Sequence, residues 1–269
     1  MKESSIDAQK IIRRKRDGEL EYLSDELTIE EALEISVGGK TIAITMRTPG
    51  HDAELAAGFL FSEAIVRNRG EITHISASID NRVDVGVKHD ANVQLNSKKR
   101  FGTISSSCGL CGKTSIEAIR QNFPAITATD LRIDIKTLLS LPEKLRNAQS
   151  DFAHTGGIHA AGIFDMSGKC HSVREDIGRH NAADKVIGHA FLNTQMPLDR
   201  HLLLVSGRAS LEIMQKALAA GIPIIAAVSA PSSLAVSFAR QSNQTLIAFL
   251  RPPTFNIYSH IERVIMEPV

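Results

Sequence analysis

Hydrophobic positions follow one rule in the first half of this chain and another in the second. Residues 29–37 and 41–47 are rich in β-branched side chains and are split by Gly38-Gly39. That pattern predicts two strands joined by a tight turn. Pro49-Gly50 ends the unit. Over residues 51–62 the period changes, with Leu55, Phe59 and Leu60 recurring at helical spacing. Residues 72–79 and 82–87 then alternate as a hairpin turned at Asp80-Asn81. A helix is expected over 113–121, with Pro124 as its breaker. Residues 18–24 are polar and predict no element.

In the second half, helices are expected over 133–148 and 181–192, with a strand pair at 158–165 and 169–173 turned at Ser167-Gly168. Three continuous apolar strands follow, at 201–206, 222–229 and 245–250. They alternate with helices at 209–220 and 232–241. Such alternation predicts a buried, largely parallel sheet. The expected fold class is α/β (α+β overall). A smaller, mainly β domain over residues 1–125 precedes an α/β domain over 126–269. No internal repeat or low-complexity segment is visible.

Composition narrows the function. The chain has 269 residues, 43% of them hydrophobic, enough for a substantial core. Basic and acidic residues balance, 31 against 30, which predicts no general affinity for nucleic acid or anionic lipid. There is no tryptophan and only 4% aromatic residues, so base-stacking platforms are not expected. Three cysteines make a poor disulfide framework and fit a reducing compartment. The N-terminus is polar and charged, and no apolar run reaches transmembrane length. These features predict a soluble, cytoplasmic protein.

Two cysteines, Cys108 and Cys111, lie in the small-residue stretch Ser105-Ser106-Ser107-Cys108-Gly109-Leu110-Cys111-Gly112. Nothing there can build a core. Three chemistries suit the pair. A reactive thiol is favoured if the helix expected from Lys113 lowers its pKa. A structural zinc would need two further ligands, and only Cys170 and histidines remain. A thioredoxin-like motif would need a preceding strand. Idle structural cysteines are the bland alternative. Cys170, within an expected strand, reads as a small buried side chain.

Other candidates cluster at chain reversals. His159 opens an expected strand behind Gly156-Gly157, and is either a pocket residue or a core histidine. Residues 174–181 (Arg-Glu-Asp-Ile-Gly-Arg-His-Asn) form the densest polar run. There Asp176 and Asn181 could cap a helix, and Arg179 with His180 could hold an anion at its start. Ser206-Gly207-Arg208 and Ser229 to Ser232 each follow a strand and open a helix, where ligands of α/β sheets bind. Hydroxyls, free N–H groups and Arg208 suit phosphates there. Plain helix capping explains the serines equally well. Neither turn is a Walker loop or a GxGxxG, so ATP and NAD are not indicated.

Five motifs in order resemble the formate dehydrogenase accessory sulfurtransferase family, FdhD. They are residues 106–113 (SSCGLCGK), 155–162 (TGGIHAAG), 174–182 (REDIGRHNA), 206–210 (SGRAS) and 229–235 (SAPSSLA). The resemblance spans residues 41–258, most of the chain. It implies an enzyme that accepts persulfide sulfur from a cysteine desulfurase. The sulfur would pass to a molybdenum or tungsten bis-pterin guanine dinucleotide (bis-molybdopterin guanine dinucleotide) before insertion into formate dehydrogenase. It implies Cys108 as the persulfide carrier, assisted by Cys111, with no permanently bound metal. It also implies cofactor contacts from Phe249, Leu250, Arg251, Pro252, Pro253 and Thr254, and a cytidine-deaminase-like second domain. Pro252-Pro253 stands where some relatives are expected to carry a glycine.

Two other functions compete. A zinc deaminase would need His-x-Glu upstream of Cys-x-x-Cys. Here the cysteine pair comes first, and Ala161 stands two residues after His159. A non-catalytic cofactor chaperone would need the phosphate-binding turns and not the thiols. A two-fold homodimer is the expected assembly.

Overall fold

The chain opens with a ribbon that its sequence pattern did not predict. In the computed structural model, which describes residues 4–78, 80–88, 122–128 and 130–266, β1 (Ile6–Arg14) pairs antiparallel with β2 (Leu20–Thr28). The periodicity was hidden because neither face of the ribbon is buried. Ile12, Leu20 and Tyr22 are 58%, 62% and 78% exposed.

The next elements follow expectation. Gly38 and Gly39, with φ of 56° and 80°, turn β3 (Glu31–Val37) into β4 (Lys40–Arg47). Consecutive positive φ angles favour glycine in such a hairpin. Helix α1 (Asp52–Ser62) follows, then the hairpin of β5 (Ile72–Ser78) and β6 (Arg82–Val87). These four strands form one sheet in the order β4-β3-β6-β5, with β3 and β6 parallel.

A short β7 (Ile133–Asp134) leads into α2 (Ile135–Asn147), whose N-terminal N–H groups are capped by the Asp134 side chain. Then come α3 (Ser150–Thr155), β8 (His159–Asp165), β9 (Cys170–Asp176) and α4 (Arg179–Leu192). The rest alternates: β10 (His201–Val205), α5 (Leu211–Ala219), β11 (Ile224–Ala227), α6 (Ser233–Gln241), β12 (Thr245–Arg251), β13 (Thr254–Ser259) and β14 (Val264–Ile265). The larger sheet has the order β13-β12-β11-β10-β8-β9. Its centre, β10-β11-β12, is parallel as expected. Its flanks, β13 on one side and β8-β9 on the other, are antiparallel.

The continuous apolar strands are explained by two cores. Leu202, Leu204, Ile224, Ala226 and Ile247 pack with Leu138, Leu141 and Leu145 of α2. Leu203, Val205, Ile225, Ala227 and Leu246 join the larger core with α1, α4, α5 and α6. That larger core also takes Leu33, Ile35, Val83 and Val85 from the smaller sheet. The two segments expected as separate domains thus carry separate sheets and share one core. No helix among the described residues is long and apolar enough to cross a membrane.

Helices α1 and α4 meet through glycines. A Cβ on Gly58 would overlap the backbone carbonyl of Asp184, and one on Gly188 would overlap that of Glu54. Buried charges fix α4 on its other sides. Lys185 Nζ lies 2.7 Å from Asp176 and donates to the Thr48 carbonyl at 2.8 Å. Lys216 of α5 lies 2.7 Å from Asp184. Arg174 of β9 is bonded to Glu54 of α1 at 2.8 Å.

Gly188→Ala is expected to destabilise the protein by about 1–3 kcal/mol or more, because backbone cannot yield as a side chain does. Thermal unfolding would register this as a lowered midpoint, and an unchanged midpoint would contradict the close contact. Lys185→Met is expected to cost about 3–5 kcal/mol in urea unfolding, since it strands the buried Asp176 charge. Adding Asp176→Asn should recover part of that loss.

Candidate functional site

Because β8 runs antiparallel to β10, with Ala161 opposite Val205, the first residues of β8 extend past the end of β10. That register brings His159 to the carboxyl end of the parallel strands. The Ser206 N–H donates to the Ala160 carbonyl at 2.9 Å, and the Ala160 N–H donates to Ser206 Oγ at 2.9 Å. Gly207 then passes between two side chains. A Cβ there would lie 3.3 Å from His159 Nδ1 and 3.4 Å from Arg179 Cδ. Arg208 is exposed beside them.

The turn after β11 is laced to the turn after β10. Ala209 bridges Pro231, with its N–H donating to Ala230 at 3.1 Å, and the Ser232 N–H returns a bond to Ala209 at 2.9 Å. Ser232 Oγ caps α6 by accepting from the Ala235 N–H at 3.1 Å. The Ser229 carbonyl accepts from the Phe249 N–H at 3.1 Å.

At the end of β12 the six residues 249–254 divide. Phe249 is exposed, with φ of 51° where the β12–β13 register shifts. Leu250 is fully buried in the α2 core. Arg251 donates Nε–H to the Val228 carbonyl at 3.0 Å. Pro252, Pro253 and Thr254 are exposed, and the Thr254 hydroxyl donates to the Arg251 carbonyl at 3.2 Å. The ends of β10, β11 and β12 therefore present one continuous edge.

The polar run 174–181 separates into structural and available residues. Residues 174–176 are not loop but the end of β9. Glu175 accepts the N–H groups of Asp151 and Phe152 at 3.0 and 2.9 Å. Asp176 is fully buried, and accepts from Gly178 N–H at 2.8 Å and Asn181 Nδ2 at 3.1 Å. Burial pushes the Asp176 carboxyl up, and Lys185 opposes that shift. Gly178, not Asp176 or Asn181, occupies the N-cap position of α4. Asn181 instead donates to the Met46 carbonyl at 2.7 Å. The expected caps are internal braces because burial leaves each polar atom needing a partner.

Arg179 and His180, the first two residues of α4, face the glycine turn differently. Arg179 Nε is buried and has no hydrogen-bond partner among the described residues. Burial lowers the Arg179 pKa, and neighbouring Arg208 lowers it further. His159 is held low by burial and by both arginines. Burial brings His180 down to about 4, against the pull of Glu212. Two guanidinium groups thus converge beside two imidazoles at a helix N-terminus, an arrangement complementary to a phosphoryl or carboxylate group.

Two partners of this site were not among the expected site residues. His180 Nε2 lies 3.0 Å from Ser210 Oγ, and Nδ1 lies 3.4 Å from Glu212 Oε2. Ser210 belongs to the 206–210 motif, but Glu212 looked like any first-turn helix carboxylate. Cys108 and Cys111 lie outside the described residues. Cys170 is exposed rather than buried, since β9 is the edge strand of its sheet. Burial of its sulfur environment still raises its thiol pKa.

Comparison with known proteins follows the same lines. The FdhD/NarQ family pattern matches residues 28–265. A protein of Streptomyces coelicolor named sulfur carrier protein FdhD is 46% identical over 267 residues, covering 95% of this chain and 94% of its own. A protein of the same name from Sulfolobus acidocaldarius is 41% identical over 253 residues, covering 94% and 96%. A crystal structure of a Desulfotalea psychrophila protein superposes with a TM-score of 0.79 at 24% identity, covering 97% of this chain and 100% of that one, which establishes the shared fold. A match this long, to a pattern running from the last residue of β2 to β14, leaves one assignment: the chain belongs to the FdhD/NarQ family.

Proposed function

We propose that this protein is a sulfurtransferase. It takes persulfide sulfur from a cysteine desulfurase onto Cys108, with Cys111 assisting, and passes it to a molybdenum or tungsten bis-pterin guanine dinucleotide. The sulfurated cofactor then goes to formate dehydrogenase. The observation that carries this reading is the match, over nine-tenths of both chains, to relatives named sulfur carrier proteins. A dimer working in the cytoplasm completes the proposal.

The chemistry of the sheet edge supports the acceptor half. A dinucleotide carries pyrophosphates, and the unpartnered Arg179 Nε with Arg208 nearby suits them. The narrow passage at Gly207 lets backbone N–H groups approach an anion. Phe249, Arg251 and Thr254 at the neighbouring strand end would extend the same surface along the ligand. A thiol on a glycine- and serine-rich segment suits the donor half, because a carrier must visit two partners.

Incubation with a desulfurase and cysteine should add the mass of one sulfur atom to the wild type, reversibly under thiol reduction. Cys108→Ala should abolish the gain, and should fail to restore formate dehydrogenase activity in cells lacking the protein. Full restoration by Cys108→Ala would instead favour a cofactor chaperone. Arg179→Gln and Arg208→Gln should each weaken binding of guanosine diphosphate by about tenfold, the loss of one charge-assisted bond. Calorimetric titration measures that directly.

A further inference from the structure

His180 lies between an acid and a hydroxyl, and the acid's charge sets the direction of its hydrogen bond to the hydroxyl. Glu212 Oε2 lies 3.4 Å from Nδ1, and its negative charge favours the neutral imidazole with its proton on that nitrogen. Nε2 is then a bare lone pair, and Ser210 donates its hydroxyl proton to it across 3.0 Å. Ser210 makes no capping bond of its own. In this state its oxygen offers only lone pairs to anything arriving at the sheet edge. A pyrophosphate bridge also offers only lone pairs, so the two repel.

Protonation reverses the chain. An imidazolium carries protons on both nitrogens, with Nδ1–H facing the Glu212 charge and Nε2–H donating to Ser210. The Ser210 proton is then free to point at the ligand. Charges around His180 decide when this happens. Arg179 of its own helix, Lys216 of α5 and His159 of β8 oppose a further positive charge, while Glu212 of α5 favours it. Lys216 is itself tied to Asp184 and to Glu212, at 2.7 and 3.4 Å, and so cannot move away. A dianion seated on Arg179 would offset this opposing field.

We propose that Ser210 is a further ligand-binding residue of this site, that Glu212 is a positioning residue that orients His180, and that a doubly charged anion, the pyrophosphate bridge of the ligand, enters together with one proton. The inference rests on the reading that a phosphorylated ligand binds at this sheet edge. The proton comes from solvent onto His180 Nε2, and no covalent bond forms or breaks.

Inorganic sulfate is the probe, because it keeps its own charge between about pH 5 and pH 8, where His180 would respond. Its affinity for the wild type should rise as pH falls, approaching about tenfold per pH unit. His180→Gln should flatten the dependence, whereas His154→Gln, at an exposed α3 residue paired with Glu26, should keep it. Ser210→Ala should lose about tenfold in affinity at the acidic end. Nitrogen-15 spectra of the unmutated protein should show His180 protonated on Nδ1 alone when free and on both nitrogens with sulfate, a readout independent of any variant's folding. A flat wild-type profile, or an unchanged slope in His180→Gln, overturns the proton coupling while leaving the phosphate site intact. Wild-type affinity in Ser210→Ala overturns the role of that hydroxyl. If neither sulfate nor guanosine diphosphate binds at any pH, the phosphate site fails and this inference fails with it.

Discussion

Helices α1 and α4 touch backbone to backbone at Gly58 and Gly188, and the placement of the candidate site depends on that contact. Neither helix could come so close with a side chain in the way. The approach seats α4 deep in the larger core, with Ala182, Ala183, Val186 and Ile187 fully buried. It also brings Asp184 within reach of Ser62 at 3.0 Å and Lys216 at 2.7 Å. With α4 pinned at its middle, its first two residues, Arg179 and His180, stand at a set position against the turn at Gly207.

Buried polar groups then specify the arrangement that apolar packing permits. Arg47 is completely buried and bonded to Asp52 at 2.8 Å and Asn81 at 2.7 Å, joining the smaller sheet to α1. Asp176 joins β9, the Thr48 backbone and α4 through Lys185. A buried ion pair adds little net stability over an apolar one, but a wrong register would strand its charges. Most of the polar run 174–181 is therefore scaffold, and the two residues it leaves toward the sheet edge are those with unmet or adjustable hydrogen bonding.

Electrostatically the edge is a region where positive charge is concentrated and imidazoles are kept neutral. Desolvation is the leading cause for His159, His180 and Arg179 alike, with the neighbouring cations adding to it. Such a site is prepared for an anion, because a negative ligand relieves both the repulsion between arginines and the penalty on protonated histidine. Helix N-termini pointing the same way reinforce the effect.

The sequence by itself determined the central strands and helices of the two main sheets, and the family. Apolar runs such as Leu202 to Val205 identify strands covered on both faces, and Gly38-Gly39 identifies a hairpin, because both signals are local. The motifs around Gly207, Arg179 and Ser229 pointed to the strand carboxyl ends, where ligands of α/β folds gather, and the structure brings them together there. The ribbon of β1 and β2 was illegible because no buried face imposes a period on it. Only the tertiary structure decided which residue of a polar run braces the fold and which is left at the strand ends with unmet hydrogen bonding. Asp176 and Arg179 stand three residues apart with similar polarity, and are separated by what packs around them. Likewise the link from Glu212 through His180 to Ser210 joins two helices about thirty positions apart in the chain. No periodicity encodes such a contact, because it arises only when the shared core brings the two helices together.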